Sequence, residues 1–353
     1  MISPQDLRSP QVPAGADALA AREPVLALDL GGTRVRAAVV MPDGTVAGRR
    51  EQATPLADAA DAVLDACQRL LSDVRAEVAP GGEPRLIGVS CPGPLDAWNG
   101  VMLDPPNMGP TFHDVGIGER LEAALSLPVF VERDTLVAAL GEAVFGAARG
   151  CRDFLYLTVS TGIGGAVVSD GHLLLGPDGT FGELGHITVD MDGEPCGCGG
   201  RGHLEALASG TGILGQARIA LDGGATTVLR EFAGVAGRPS ARDVADAAER
   251  GDQVAASIMD RARRAFAAAC VSFVDIFDPD VIVVGGAIAD GQGDRLLDPA
   301  RALIEATAFR LPRRRVRIEP AALGQDVGLV GAFVLATIRS PDPRWRGGRP
   351  LPG

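Results

Sequence analysis

What the sequence lacks narrows its class before any motif is read. No stretch holds the roughly eighteen uninterrupted apolar residues of a membrane-crossing helix. The first 24 residues, broken by Pro4, Pro10, Pro13 and Pro24 and interspersed with charge, contain no apolar run of the kind a secretory signal needs. Positive charge is in deficit: 33 basic residues stand against 45 acidic ones, a formal net charge of −12. That balance argues against non-specific nucleic-acid binding, which depends on neutralising phosphates. Cysteine is sparse, and Cys67, Cys91, Cys151 and Cys270 show no paired spacing, the usage of a reduced cytoplasmic protein rather than a disulfide scaffold. A cytoplasmic protein with neither membrane nor nucleic acid as a partner is expected.

What remains is a chain of 353 residues, 46% hydrophobic and poor in aromatics, rich in Ala, Val, Leu and Gly. That composition fits a globular α/β protein, and the length suits two domains rather than one core. Residues 1–24 and the Pro- and Arg-rich tail 341–353 read as disordered segments. The Arg clusters at 261–264 and 313–317 read as solvated faces.

The scarce metal-binding residue types are concentrated in one place. Two of the four His and two of the six Cys fall between His186 and His203. Cys196-Gly-Cys198-Gly-Gly-Arg-Gly-His203 sets glycines around its donors, so that a short loop can fold back and let them converge. Thiolate and imidazole donors in a closed tetrahedron suit zinc, and His186 supplies the fourth ligand. A glycine-rich surface turn with incidental thiols is the other reading. A Cys196–Cys198 disulfide is disfavoured, because one intervening residue strains the geometry.

Three apolar runs end in glycine turns. Val25 to Leu30, with Asp29 near its end, meets Gly31-Gly32-Thr33 and continues as Val35 to Met41, a β-hairpin pattern. Phe154 to Ser160 meets Thr161-Gly162-Ile-Gly164-Gly165 and continues as Ala166 to Ser169; Val281 to Val284 ends in Gly285-Gly286. Such turns bring backbone N–H groups close to a phosphate, while Thr33 offers a hydroxyl and Asp29 can hold Mg²⁺ directly or through water. Any one of them alone is also an ordinary hairpin turn.

Helical spacing of apolar residues predicts helices over 57–77, 241–248, 253–277 and 324–338. Residues 86–90 read as a strand, as do 128–131, which run through Glu132 and Arg133 to Asp134 and a helix over 135–145. Asp134 thus lies at the carboxyl end of a strand and the mouth of a helix, where α/β sheets place ligand-binding residues. A helix N-cap is the alternative role for it.

Together these motifs resemble the ROK family (repressors, open reading frames and kinases) from about Val25 to Ala336. The family's zinc pattern, Gly-Glu-X-Gly-His followed ten residues on by Cys-X-Cys-Gly-X-X-Gly-Cys-X-Glu, is matched at Gly182, Glu183, Gly185, His186, Cys196, Cys198, Gly199, Gly202 and Glu205. His203 stands where the family has Cys, which gives a Cys2His2 set. The repeated strand–glycine-turn–strand units are similar to those of sugar kinases, actin and the heat-shock chaperone ATPases.

The resemblance implies an actin-like, ribonuclease H-like ATPase fold whose two α/β domains enclose a nucleotide and sugar cleft. One domain is expected over 25–133, joined by the C-terminal helix at about 324–338, and the other over 134–323 with the zinc loop 186–203. It implies ATP and Mg²⁺ as cofactors, structural zinc, phosphate contacts at both hairpin turns and adenosine against Gly285-Gly286. Asp134 becomes the general base, and Arg133, Asp134, Glu183, His186 and Glu205 the sugar-binding set. The activity implied is ATP-dependent phosphorylation of a hexose or N-acetylhexosamine, glucose at its 6-hydroxyl foremost, by a homodimer or homotetramer. Three departures, Arg133 for the family's Asn and Ser160 and Ala166 for its glycines, instead point toward a weak or inactive sugar-binding sensor. With 24 residues before the first strand, no helix-turn-helix module is expected.

Overall fold

Alternation along one strand organises the first sheet. A computed structural model describes residues 8–20, 22–56, 59–78, 83–232 and 239–345. In chain order its first elements are β1 (Arg8–Gln11), β2 (Val25–Leu30), β3 (Arg34–Val40), β4 (Val46–Ala53), α1 (Ala60–Val78) and β5 (Ile87–Cys91). There follow the short strands β6 (Leu95–Asp96), β7 (Val101–Met102) and β8 (Val115–Gly116), then α2 (Ile117–Leu125), β9 (Val129–Arg133) and α3 (Asp134–Phe145). Strands β4-β3-β2-β5-β9 form one sheet in that order, antiparallel across β4, β3 and β2 and parallel across β2, β5 and β9. Leu26, Leu28 and Leu30 face one side of it and pack into a core with Val63, Leu70, Leu71 and Val74 of α1, as a period of two requires.

Beyond α3 come β10 (Phe154–Val159), β11 (Ile163–Ser169) and β12 (His172–Leu174), then α4 (Leu204–Ala208), α5 (Gly210–Asp222), α6 (Ala241–Glu249) and α7 (Gln253–Phe277). Next are β13 (Val281–Gly285), α8 (Ala287–Gln292), α9 (Asp294–Thr307), β14 (Arg317–Pro320) and finally α10 (Val327–Arg339). The chain forms two units. One holds the residues up to Arg152, Ala166–Phe181 and the chain from Ala322 on; the other holds Asp153–Gly165 and Gly182–Ala321. In the second, β10, β13 and β14 pair in parallel. The long helix α7 starts at an Asp252 cap that accepts from the Ala255 N–H and ends at Asp278 in the left-handed region. Its stripe of Ile258, Ala262, Phe266, Cys270 and Phe273 is buried.

The helix that returns to the first unit is apolar all round, and every residue from Gly328 to Arg339 is buried. Glycines let its backbone press directly on its neighbours. A Cβ at Gly88 would come 2.0 Å from the Ala332 carbonyl oxygen, and one at Gly331 would come 2.0 Å from that of Val137 in α3. Among the described residues no helix is long and apolar enough to cross a membrane.

The observed elements depart from the sequence expectations at four points. The lead is structured in part: β1 pairs antiparallel with β12, Ser9, Val12 and Leu19 are buried, and residues 1–7 and 21 lie outside the described residues. In the tail, Pro343–Trp345 forms a 3-10 turn with Trp345 buried, while 346–353 lie outside the described residues. The unit boundary falls after Arg152 rather than at Asp134, with α3 packed against α10. Strand β11 begins at Ile163, so Gly164 and Gly165 are strand residues and the turn is confined to Ser160–Gly162. Replacement Gly331→Val should force apart two packed helix backbones and cost about 3 kcal/mol. Urea unfolding would show this as a lowered midpoint with little change in slope.

Candidate active site and metal centre

Each unit carries its own share of the predicted constellation. In the first, the turn after β2 is closed by the Gly31 N–H donating to the Arg34 carbonyl at 2.9 Å. Thr54, at the end of β4, donates its hydroxyl to the Gly31 carbonyl at 2.7 Å and its N–H to that of Thr33 at 3.0 Å. Gly32 lies so close to the Pro-Pro-Asn loop that a Cβ would come 2.6 Å from the Asn107 carbonyl oxygen. Asp29 accepts from Arg36 Nη1 and from Ser90 Oγ, each at 3.0 Å, and its carboxyl lies against Gly328 at the start of α10. Thr54 and Ser90 carried no motif signal, because their roles arise from strand pairing between residues far apart in sequence.

At the end of β9 three successive residues have different surroundings. Glu132 is buried, takes the Arg133 N–H on Oε1 at 2.8 Å, and pairs through Oε2 with buried Arg339. The Arg339 guanidinium also donates to the Val131 carbonyl at 3.0 Å and lies 3.5 Å over the Trp345 ring, which stacks on Trp98. Burial lowers the Arg339 pKa, with the Glu132 charge opposing that shift. Arg133 is buried as well, its Nη2 donating to the Phe181 carbonyl at 2.8 Å. Asp134 is exposed. It is not the cap of α3, which Arg133 provides in extended geometry; Asp134 is the first helical residue, and its Oδ1 accepts from the Thr135 N–H at 2.7 Å. A carboxylate there is favoured by the helix dipole. The nearby Cys91 thiol is pushed well above its usual range by burial and then by the charges of Asp134 and Glu132, so it stays neutral.

In the second unit the Ser160–Gly162 turn collects several predicted residues. The N-terminus of α5 is pinned to it: Gly210 N–H donates to the Ser160 carbonyl at 2.8 Å, and Thr211 donates to the Thr161 carbonyl through both its N–H and its hydroxyl. Gly286, at a φ of +97°, backs onto the end of β10, where a Cβ would come 2.7 Å from the Val159 carbonyl oxygen. Glu205 sits beneath Gly162, its Oε2 accepting from the Ile163 N–H at 2.8 Å. Thr161, Gly162, Glu205 and Gly286 are thereby brought together. A hollow of about 480 Å³ opens beside Thr211, lined by Leu214, Gly215, Arg218 and Leu221.

His186, Cys196, Cys198 and His203 converge, with one donor atom from each lying within 4.8 Å of all the others. Cys196 Sγ is 3.7 Å from His186 Nδ1 and Cys198 Sγ is 3.3 Å from His203 Nδ1. Edges of about 3.3–3.8 Å are what a tetrahedron with zinc-length bonds requires; these two distances lie in that range, and two thiolates with two imidazoles are a donor set that suits the ion. The loop is closed by backbone. Thr188 bridges to His203 and Pro195 to Arg201, and the N–H groups of Val189 and Asp190 both donate to the Gly202 carbonyl. Arg261 of α7 ties the loop down through Asp190 and Glu194. Glu183 is exposed three residues before His186.

The sequence matches the ROK family over residues 25–339. The chain belongs to the ROK family. A glucokinase of Thermotoga maritima is 33% identical over 308 residues, 87% of this chain and 95% of that protein. An N-acetylmannosamine kinase of Shigella flexneri is 33% identical, covering 88% of this chain and 98% of its own. Among solved structures, a ROK family glucokinase from Streptomyces griseus in complex with glucose and AMPPNP superposes with a TM-score of 0.73 at 30% identity, covering 89% of this chain and 99% of that one. This ROK protein therefore has the two-domain actin-like ATPase fold, and it is a sugar kinase. In this ROK chain Gly202, at a φ of +63°, lies where a Cβ would fall 1.5 Å from the Asp190 carbonyl oxygen. Gly202→Ala should open the metal loop, with amide exchange at Val189 and Asp190 rising at least about tenfold while the β2 amides stay protected.

Proposed function

We propose that this kinase transfers the terminal phosphoryl group of ATP to the 6-hydroxyl of a hexose or N-acetylhexosamine, with glucose the preferred acceptor. The observation that carries the reading is the exposure of Asp134 between buried Arg133 and buried Thr135 at the strand-to-helix junction. Asp134 takes the proton from the attacking hydroxyl. An unmodified carboxylate suffices for this, since the alcohol becomes acidic only as its bond to phosphorus forms. The chain contains no lysine. Phosphate charge is met by backbone amides in the two glycine turns, at Gly32, Thr161 and Gly162, and Mg²⁺ would supply further charge neutralisation. Asp29 would hold that ion through water, a reading supported by the engagement of both its oxygens with Arg36 and Ser90. The anchoring of α5 at Thr161 supports the neighbouring hollow as the seat of the base, alongside Gly285 and Gly286.

Glu183, His186 and Glu205 hold the sugar hydroxyls. His186 turns Nδ1 to Cys196, which leaves Nε2 for a hydroxyl. Zinc on His186, Cys196, Cys198 and His203 would fix that ring's tautomer and angle and take no part in the transfer. Ile276, Phe309 and Leu311 are 67%, 71% and 74% exposed near the end of α7, which supports association of copies into a cytoplasmic homodimer or homotetramer.

Asp134→Asn should lower kcat by about 10³-fold or more while sugar affinity, read by calorimetry, stays within about threefold. Turnover at the parental rate would reduce Asp134 to a structural residue. His203→Ala should release bound zinc, measured by plasma mass spectrometry, and raise the sugar KM about tenfold. Unchanged metal content would remove His203 from the centre.

A further inference from the structure

The residue before the general base is Arg133, and its surroundings differ from those of a substrate ligand. Only 5% of it is exposed. Its stem fills the space over Gly93, where an added Cβ would come 2.7 Å from Arg133 Cδ. Its Nη2 donates to the Phe181 carbonyl at 2.8 Å. That carbonyl ends a loop closed on itself: the Phe181 N–H donates to the Leu175 carbonyl at 3.2 Å, and Gly176, at a φ of +71°, packs against Phe181 Cβ. Two residues further along the chain stands Glu183.

We propose that Arg133 is a positioning residue: its guanidinium ties the strand end that bears Asp134 to the 175–181 loop, and so fixes where the chain delivers Glu183 to the sugar. The stem packing on Gly93 and the donation to Phe181 give the guanidinium two fixed points, and a planar fork anchored in this way loses little conformational entropy per bond. The loop is largely open to solvent and turns sharply. Gly176 and Gly179 both occupy the left-handed region, and residues 177, 178, 180 and 181 are exposed or half-exposed. A loop of this kind moves readily once its tether is cut. A displacement of about 1 Å at a sugar-binding group can cost up to about a hundredfold in rate or affinity, so the tether acts on recognition without touching the substrate.

This inference rests on the sugar-kinase reading of Asp134 and Glu183, and its test separates the two. Arg133→Met keeps the stem and removes the donors; Arg133→Lys keeps one donor. For Arg133→Met the sugar KM should rise about tenfold, with kcat and the ATP KM within about threefold, and Arg133→Lys should recover part of the loss. In a Glu183→Ala background the same change should add less than about twofold, since both act through one element. Amide exchange over residues 175–183 should quicken about tenfold in Arg133→Met, a readout that needs no kinase activity. Additive losses with an unchanged exchange pattern would overturn the proposal in favour of direct sugar contact. A raised kcat with a displaced acidic limb in its pH profile would overturn it in favour of action on Asp134. If the parent phosphorylates no sugar, the assignment of the reaction fails, while the exchange measurement still decides the tether.

Discussion

The buried ion pair between Glu132 and Arg339 is the constraint on which the chemistry of the first unit depends. A carboxylate and a guanidinium removed from water are tolerated only with each other and with further hydrogen bonds; here the Arg133 N–H and the Val131 carbonyl supply those, and the Trp345 ring covers the guanidinium face. The pair joins the last turn of α10 to the last residues of β9. It holds the strand end from which Arg133 turns inward and Asp134 outward, the two adjacent residues proposed as tether and general base. Glu142, fully buried in α3, acts similarly by accepting the N–H groups of Ala322 and Leu323, where the chain re-enters this unit.

The second unit relies on backbone approach instead of charge. Gly162 makes room for the Glu205 carboxylate, Gly286 for the end of β10, and Gly202 for the Asp190 carbonyl, and in each case a side chain would occupy the space that brings two site elements together. Backbone amides can approach a phosphate closely only where glycine lets the chain come near, which is the use proposed for the turns at Gly32 and Gly162.

Much of this was legible in the sequence because its causes are local. The hairpin strands, the 253–277 helix and the end of the strand before Asp134 follow from apolar periodicity and glycine placement, and the four converging Cys and His from their spacing alone. What was not legible is non-local. Arg8–Gln11 contains three polar or charged residues and a proline and has no strand pattern; it becomes a strand because β12 offers it an edge. Trp345, in a Pro- and Arg-rich tail, is ordered by Arg339 and Trp98. The reading of Asp134 as a cap failed by one residue, because Arg133 remains extended and takes the cap position. The inward turn of Arg133 is set by Gly93 and Phe181, neither of which is near it in sequence.

The central claim is that one exposed carboxylate serves a working sugar-phosphorylating centre, and a coupled ADP-release assay tests it most directly. The zinc-loaded protein would be supplied with ATP, Mg²⁺ and, in turn, glucose, mannose, fructose, N-acetylglucosamine and N-acetylmannosamine. The account predicts sugar-dependent ADP release, strongest with glucose and abolished by Asp134→Asn. Absence of release with all five sugars, while one of them still raised the melting temperature, would contradict it and mark the protein as a sugar-binding sensor.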